Sequence, residues 1–455
     1  MTATAYNDHN VYILGAGFAN EAGLPLIKDF MNRMRDAAAW LEAQGGRERE
    51  QEAIGRVLEF RLRAAAAAHR VPLNVENVEE LFSLASVSGD EDLANAMPLA
   101  IAATLEYARE TAKPADEWHR FQIGVLNQPD WKVPAGWEKP VPNIQEEVKK
   151  GFRQGQWYSC PPYDFYVGLM GGFFNKGGVE RRDTIITFNY DLVIEESCRN
   201  LRIPVGYGFQ VSRDKSAESI ITPTKNAKLQ VLKLHGSVNW VNFRVYLSSS
   251  EEKARPALGH EEDWELNTGH PGTRVYGDYS ELRNKGFSPL LIPPTWRKDL
   301  GGDQYARIDF SCVWDAAVAA LRTATNVIIL GYSVPTTDLH FRYLLAAGLQ
   351  DNISLRKVLF VNPGLQDKPG KEAEKKRLEE QLIGPSGLFR SEHREQGVIE
   401  LIPADTREFF TGPHDIYAGE AYRVRIGRPL NPPTYTREDA PFRFSDRPEN
   451  SGSWR

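Results

Sequence analysis

Cysteine is scarce in this chain: three residues in 455, Cys160, Cys198 and Cys312, set far apart and with no CxxC pair. That spacing excludes a disulfide framework and a zinc ribbon, and makes a reducing cytoplasm the expected compartment. No apolar run is long enough to cross a bilayer, and the polar start MTATAYNDHN lacks a secretory leader pattern, so no membrane association is expected. An excess of basic residues is also missing. The formal net charge of −6 speaks against direct nucleic-acid binding. With 41% hydrophobic residues the chain can bury a substantial core, and its length suits two or three domains or one domain with insertions.

Strand-like sequence is absent over a long stretch. Between residues 30 and 184 the pattern is helical, with segments over 29–43, 47–70, 77–85, 93–109, 116–126, 143–153 and 163–175. The run NQPDWKVPAGWEKPVP breaks this block as a loop. Short apolar runs flank the block instead: 11–14 before it, then 184–188, 229–234, 327–330, 358–361 and 399–402 after it. Continuous apolar strands alternating with helices (191–200, 310–323, 368–382) predict an α/β fold with a Rossmann-like parallel sheet covered on both faces and a large helical insertion. The expected organisation is a discontinuous nucleotide-binding domain of residues 1–30 and 180–411, a helical insertion 31–179, a polar excursion 242–287, and a C-terminal tail 412–455 of low periodicity.

The organising stretch is 10–30, NVYILGAGFANEAGLPLIKDF: a strand, a glycine turn, then a helix start. Such a turn lets backbone approach an anion at a helix N-terminus, although Gly15 and Gly17 also suit a plain tight turn. The other strands end on Asn189-Tyr190-Asp191, His235-Gly236-Ser237, Gly331-Tyr332-Ser333 and Asn362. In an open parallel sheet, ligands bind beyond these carboxyl ends. Asn189 and Asp191 also read as helix caps, and His235 as a turn histidine. The acid–imidazole group His260, Glu261, Glu262, Asp263 and His270 fits no metal-ligand spacing and reads as a solvated loop, so no metal site is expected. Pro293-Pro294-Thr295 reads as a rigid turn near the sheet beside Trp296, and Asp338, His340 and Arg342 follow the GYS turn.

In order, GAGFANEAGLP, TFNYD, LHGS, GYS and VN resemble the sirtuin family. With NVEELFSLAS, LIPPTW and GYSVPTTDLHFRYLL, the chain is most similar to bacterial sirtuin-like NAD hydrolases of anti-phage defence. The resemblance implies a sirtuin-like fold and NAD as the substrate. Gly15, Ala16 and Gly17 would cradle its diphosphate, in a loop closing over NAD that adds Phe18, Asp29 and Phe30 to the binding set. Asn189 would contact the nicotinamide ribose and orient water, and Asp191 would lie by the nicotinamide amide. His235 would act as general base, Gly331 and Ser333 would contact the adenosine side, and Asn362 the adenine ribose.

Three departures stand out: Ala19 replaces a serine, Phe188 and Tyr190 replace a glutamine and an aliphatic residue, and the zinc-binding cysteines of deacylase sirtuins are absent. The implied activity is NAD glycohydrolysis by the effector of an abortive-infection system. The alternatives are an NAD or ADP-ribose sensor without chemistry, and a zinc-free deacylase. The implied partners are further copies of the chain in a homo-oligomer and a separately encoded activator, such as a HerA-type ATPase or a short Argonaute.

Overall fold

A computed structural model describes residues 9–112, 161–171, 183–201, 203–209, 213–214, 220–222, 226–242, 264–265, 273–293, 304–334, 339–385 and 387–411. Several expectations fall outside these residues: the helices over 116–126 and 143–153 with the loop between them, Cys160, the group 260–263 with His270, the turn residues 294–296, Asp338 and the tail 412–455.

Seven strands form one sheet: β1 (Asn10–Leu14), β2 (Thr184–Thr187), β3 (Val205–Gly206), β4 (Leu229–Lys233), β5 (Asn326–Leu330), β6 (Lys357–Val361) and β7 (Ile399–Ile402). Their order is β7-β6-β5-β1-β2-β4-β3, and every pairing is parallel. The runs NVYIL, TIIT and NVIIL are buried at every position. Helices on both faces demand such unbroken apolar strands. β1 is central, in register with β2 (Val11 opposite Thr184) and β5 (Val11 opposite Val327). Strand order runs one way from β1 through β2 and the other way through β5. The switch point of the sheet therefore lies between β1 and β5, where α/β folds place their ligands.

The two ends of the central strands differ. At the amino end, the His9 ring meets the Thr323 and Thr184 hydroxyls at 3.0 and 3.1 Å, and Asn10 donates to Asp183 at 3.1 Å. Asn326 in turn donates to Asn10 Oδ1 at 2.9 Å. These buried groups satisfy one another and knot β1, β2 and β5 together. The carboxyl end is left for the loops.

After β1 the chain enters a 3-10 segment of roughly two turns, Ala16–Ala22, before the first α-helix. The longer helices among the described residues are α1 (Ile27–Glu42), α2 (Glu48–Ala68), α3 (Val78–Ser88), α4 (Glu91–Thr111), α5 (Pro161–Met170), α6 (Val193–Leu201), α7 (Gln304–Thr323), α8 (Leu339–Leu349) and α9 (Glu372–Ile383). Asn77 and Asp90 cap α3 and α4 by accepting from the Glu79 and Leu93 N–H groups at 2.9 Å; such caps contribute ~1 kcal/mol each. No strand occurs between α1 and β2 among the described residues.

α1, α2 and α4 pack on one another, and α5 packs on α6. Charge locks this helical block to the rest. Arg47 reaches Glu50 at 3.1 Å and Glu106 at 2.6 Å, while Arg283, in the short helix Tyr279–Asn284, reaches Glu106 at 2.7 Å.

The polar excursion differs from expectation in its described part. Thr273–Val275 pairs antiparallel with Trp240–Asn242, and Tyr276, Tyr279, Leu282 and Phe287 are buried. Thr273 and Arg274 are buried with Val275, so polar side chains enter the interior here, which a reading of overall polarity hides.

Candidate functional site

The glycine turn after β1 meets the turn after β5 backbone to backbone. Gly15 N–H donates to Leu330 O at 3.0 Å, Gly17 N–H to Gly331 O at 2.9 Å, and Phe18 N–H to Gly15 O at 2.9 Å. A Cβ on Gly15 would come within 2.6 Å of Gly331 O, and one on Gly17 within 2.9 Å. The glycines thus serve first to bring two strand-end loops together across the switch point. Phe18 is a core residue at 1% exposure, edge-on to Tyr163 at 5.2 Å, and Tyr163 O–H donates to Phe18 O. Phe30 is likewise buried. Asp29 is exposed on the first turn of α1.

Asn189 is fixed to this turn. Its Nδ2 donates to Gly15 O at 3.0 Å, and its own N–H donates to Thr187 Oγ1 at 3.1 Å. Thr187 Oγ1 in turn donates to Leu14 O at 3.1 Å. With the amide NH2 placed this way, Asn189 offers its Oδ1 as an acceptor, an assignment made from the hydrogen-bond network.

His235 follows β4 and is 7% exposed. Its carbonyl accepts the Ile292 N–H at 2.8 Å, and a Cβ on the next residue, Gly236, would stand 2.2 Å from Leu290 O. The turn is therefore pinned against the strand Leu290–Leu291. Aromatic rings surround the imidazole: Phe188 lies edge-on at 5.2 Å and Tyr190 tilted at 6.1 Å. Phe188 continues to Tyr332 at 5.7 Å, so the ends of β2, β4 and β5 share one aromatic wall. Tyr190 O–H donates to Ile292 O at 2.6 Å, and burial holds its phenol well above the ordinary range.

The remaining strand ends close the circuit. Gly331 has φ of 65°, in the left-handed region. Ser333 is exposed. Asn362 Nδ2 donates to Tyr332 O at 3.0 Å and its Oδ1 accepts the Gly364 N–H at 2.7 Å, so this amide ties the turn after β5 to that after β6. The structure thus brings Gly15, Gly17, Asn189, His235, Gly331 and Asn362 into one connected set of loops. Asp29 makes no contact with it among the described hydrogen bonds and ion pairs.

Asp191 faces elsewhere. Its Oδ1 accepts the Val193 N–H at 3.1 Å at the start of α6, and its side chain lines a cavity of about 50 Å³ together with Leu24, Glu106, Arg109, Glu196 and Tyr279. Burial raises the Asp191 carboxyl, with the Lys233 ammonium pulling the other way. Burial also pushes Glu196 up to about 7, against the pull of Arg109 and Arg199. Arg109 Nη2 stands 2.6 Å from Glu196 Oε1, yet that oxygen makes no hydrogen bond.

Sequence reading passes over Thr187, Lys233 and Glu195. Lys233 Nζ donates to Glu195 Oε1 at 3.0 Å, and also to Asp191 O, beneath the Asn189 loop. A signal was available: a lysine that closes the largely apolar strand LQVLK, two residues before His235, must find buried partners. Among the described residues no group of three or more His, Cys, Asp or Glu is placed to hold a metal ion, and no helix is long and apolar enough to cross a membrane.

A family model described as SIR2-like domain matches residues 183–267, a segment that includes β2 and the His235 turn. No curated protein matches the chain. Among solved structures, that of Sir2Tm bound to a propionylated peptide is 12% identical, with 92% of this chain and 92% of that one covered and a TM-score of 0.25. A structure described as the basis for the mechanism and regulation of Sir2 enzymes is 12% identical, covering 83% of this chain and 92% of that one, with a TM-score of 0.26. The fold assignment rests on strand order and register, not on these superpositions.

Proposed function

We propose, from the premise that the chain is a sirtuin-like protein carrying a SIR2-like domain, that its strand-end site cleaves NAD to nicotinamide and ADP-ribose. A SIR2-like domain implies NAD-related chemistry; hydrolysis is the finer reading. The observation that carries it is the Asn189 amide, held by Gly15 O at 3.0 Å between the glycine turn and the His235 strand end.

The reaction breaks the bond from ribose C1′ to the pyridinium nitrogen. The bonding electron pair leaves with nicotinamide and neutralises its ring. The ribosyl carbon develops oxocarbenium character, as in glycoside hydrolysis. Water supplies the new C1′–O bond and gives up one proton. Asn189 Oδ1 is an uncharged acceptor that orients the water without trapping the cation. His235 takes the proton, a task suited to imidazole near neutral pH. The aromatic wall of Phe188, Tyr190 and Tyr332 keeps bulk water from the cation.

Three cysteines cannot supply the four thiolates of the zinc module that shapes the acyl-peptide cleft of deacylase sirtuins. That favours water over an acyl-lysine as acceptor. In the same reading the enzyme depletes NAD during phage infection, as a homo-oligomer released by a separately encoded partner such as a HerA-type ATPase or a short Argonaute.

The test is nicotinamide release by the purified chain, alone and with a co-encoded partner. Asn189→Ala and His235→Ala should each lower the rate by about 10²- to 10⁴-fold. Release surviving both substitutions would sink the site assignment. Tight NAD binding without turnover under every condition would point to a sensor, and NAD-dependent loss of acyl groups from peptides to a deacylase.

A further inference from the structure

We infer that Lys233 is a positioning residue for this site: its buried ammonium group holds the main chain after β2 and thereby sets the place of Asn189.

The ladder between β2 and β4 ends at the pair Thr187 and Lys233, with one further main-chain bond from Leu234 N–H to Thr187 O at 3.0 Å. Beyond that point the chain carrying Asn189 leaves β4 and keeps only the Phe188 N–H bond to Leu14 O at 3.3 Å on the β1 side, so the β4 side loses ladder support. Lys233 replaces it. The side chain, 1% exposed, reaches past the strand end and donates to Asp191 O, to Tyr190 O at 3.5 Å and to Glu195 Oε1 at 3.0 Å. All three ammonium protons are taken up. Tyr190 O also receives the Val238 N–H at 3.1 Å and Ser237 O–H at 3.4 Å. Asn189 therefore sits between two anchors, Thr187 Oγ1 on one side and the held carbonyls on the other.

Stability alone does not account for this pair. Desolvating an ammonium and a carboxylate costs several kcal/mol per ion, and a packed apolar pair is often as stable or more so. The arrangement even leaves Glu195 Oε2 buried without a hydrogen bond, while Oε1 accepts from Tyr207 O–H at 3.2 Å. An apolar pair, however, could not grip two main-chain carbonyls. The positioning role is what the charges add.

The activity arm of the test rests on the proposed NAD cleavage; the exchange arm does not. Lys233→Met strands the Glu195 carboxylate and is expected to destabilise the fold. The double variant Lys233→Met with Glu195→Leu removes both charges and should recover most of that loss in denaturation midpoint. In that variant, amide hydrogen exchange over 188–192 should quicken by about tenfold or more, and nicotinamide release should fall in kcat by about tenfold or more with KM little changed.

A merely structural pair predicts the opposite: stability, exchange and kcat recover together, and the inference fails. Should the double variant not fold, Lys233→Arg, which keeps the charge but displaces the donors, serves in its place. Unchanged exchange over 188–192 there overturns the inference as well. If wild type itself releases no nicotinamide, the functional reading fails while exchange still decides the role of Lys233.

Discussion

Gly17 donates its N–H to Gly331 O at 2.9 Å, and a Cβ on Gly331 would stand 2.1 Å from the Phe18 nitrogen. Two turns far apart in sequence, each at the end of a central strand, are in main-chain contact at the point where strand order reverses. The contact admits no side chain on either partner.

Gly331→Ala is therefore expected to be severe. Its φ of 65° alone costs an alanine about 1–2 kcal/mol. The clash adds to this, because Phe18 N and Gly17 C are main-chain atoms that cannot rotate away. A loss above about 2 kcal/mol in urea denaturation, together with loss of NAD binding by calorimetry, is the expected outcome. A variant with wild-type stability would show that the two turns are not tightly joined.

Ala19 stands where the family resemblance implies a serine in many relatives, and from the sequence a serine there reads as a gain of one phosphate contact. The structure buries Ala19 to 1% exposure. A hydroxyl there meets apolar surroundings, so Ala19→Ser should destabilise by about 1–3 kcal/mol without tightening NAD binding. Tighter binding with unchanged stability would mean that residue 19 faces the ligand.

Glu196 gives the fold a dependence on pH whose sign is fixed. Burial raises its carboxyl from 4.5 to about 7 in the folded chain, while the unfolded chain keeps the ordinary value. The folded state therefore binds the proton more tightly. This contribution is fully present below pH ~4.5 and is lost as pH rises through about 7, a swing on the order of 3 kcal/mol. Glu196→Gln cannot ionise. Relative to wild type, its denaturation midpoint should rise between pH 5 and pH 8; a fall over that range would contradict the placement of Glu196.

Glu106 binds two guanidinium groups from different parts of the chain, Arg47 at 2.6 Å and Arg283 at 2.7 Å. Glu106→Ala leaves both guanidinium groups to share Glu50, at 3.1 Å from Arg47 and 3.9 Å from Arg283, and removal of one member of a buried ionic group costs about 3–5 kcal/mol. Arg47→Met with Glu106→Leu should recover part of that loss. A double-mutant cycle over the pair, read by denaturation, measures the coupling between α4 and its surroundings.

Much of the sheet was legible because its strands are unbroken apolar runs. VYIL, TIIT, NVIIL and VLFV leave little doubt about burial on both faces, and four glycine or amide strand ends are found in mutual contact. Less legible were features that depend on partners remote in sequence. Nothing local in TFNYD says that Asn189 donates to Gly15, 174 residues away. Lys233 looks like a strand-end charge until its carbonyl acceptors are known. The edge strand β3 has only two residues and shows no period. Thr273–Val275 lies in polar sequence and is buried only because Asn239 and Trp240 offer it an edge.

The central place of β1 also bears on how the chain comes to be folded. His9 bonds to Thr325 across 316 residues, and Asn10 to Asp183 across 173. During synthesis at ~5–20 residues per second, the first strand leaves the ribosome roughly 15–60 s before β5 exists to flank it. An apolar segment waits through that interval without its neighbours, and the helices α1 to α4, built from nearby contacts, form first. The strand-end loops, which need β1, β2 and β5 together, are then the last part of the molecule to be assembled.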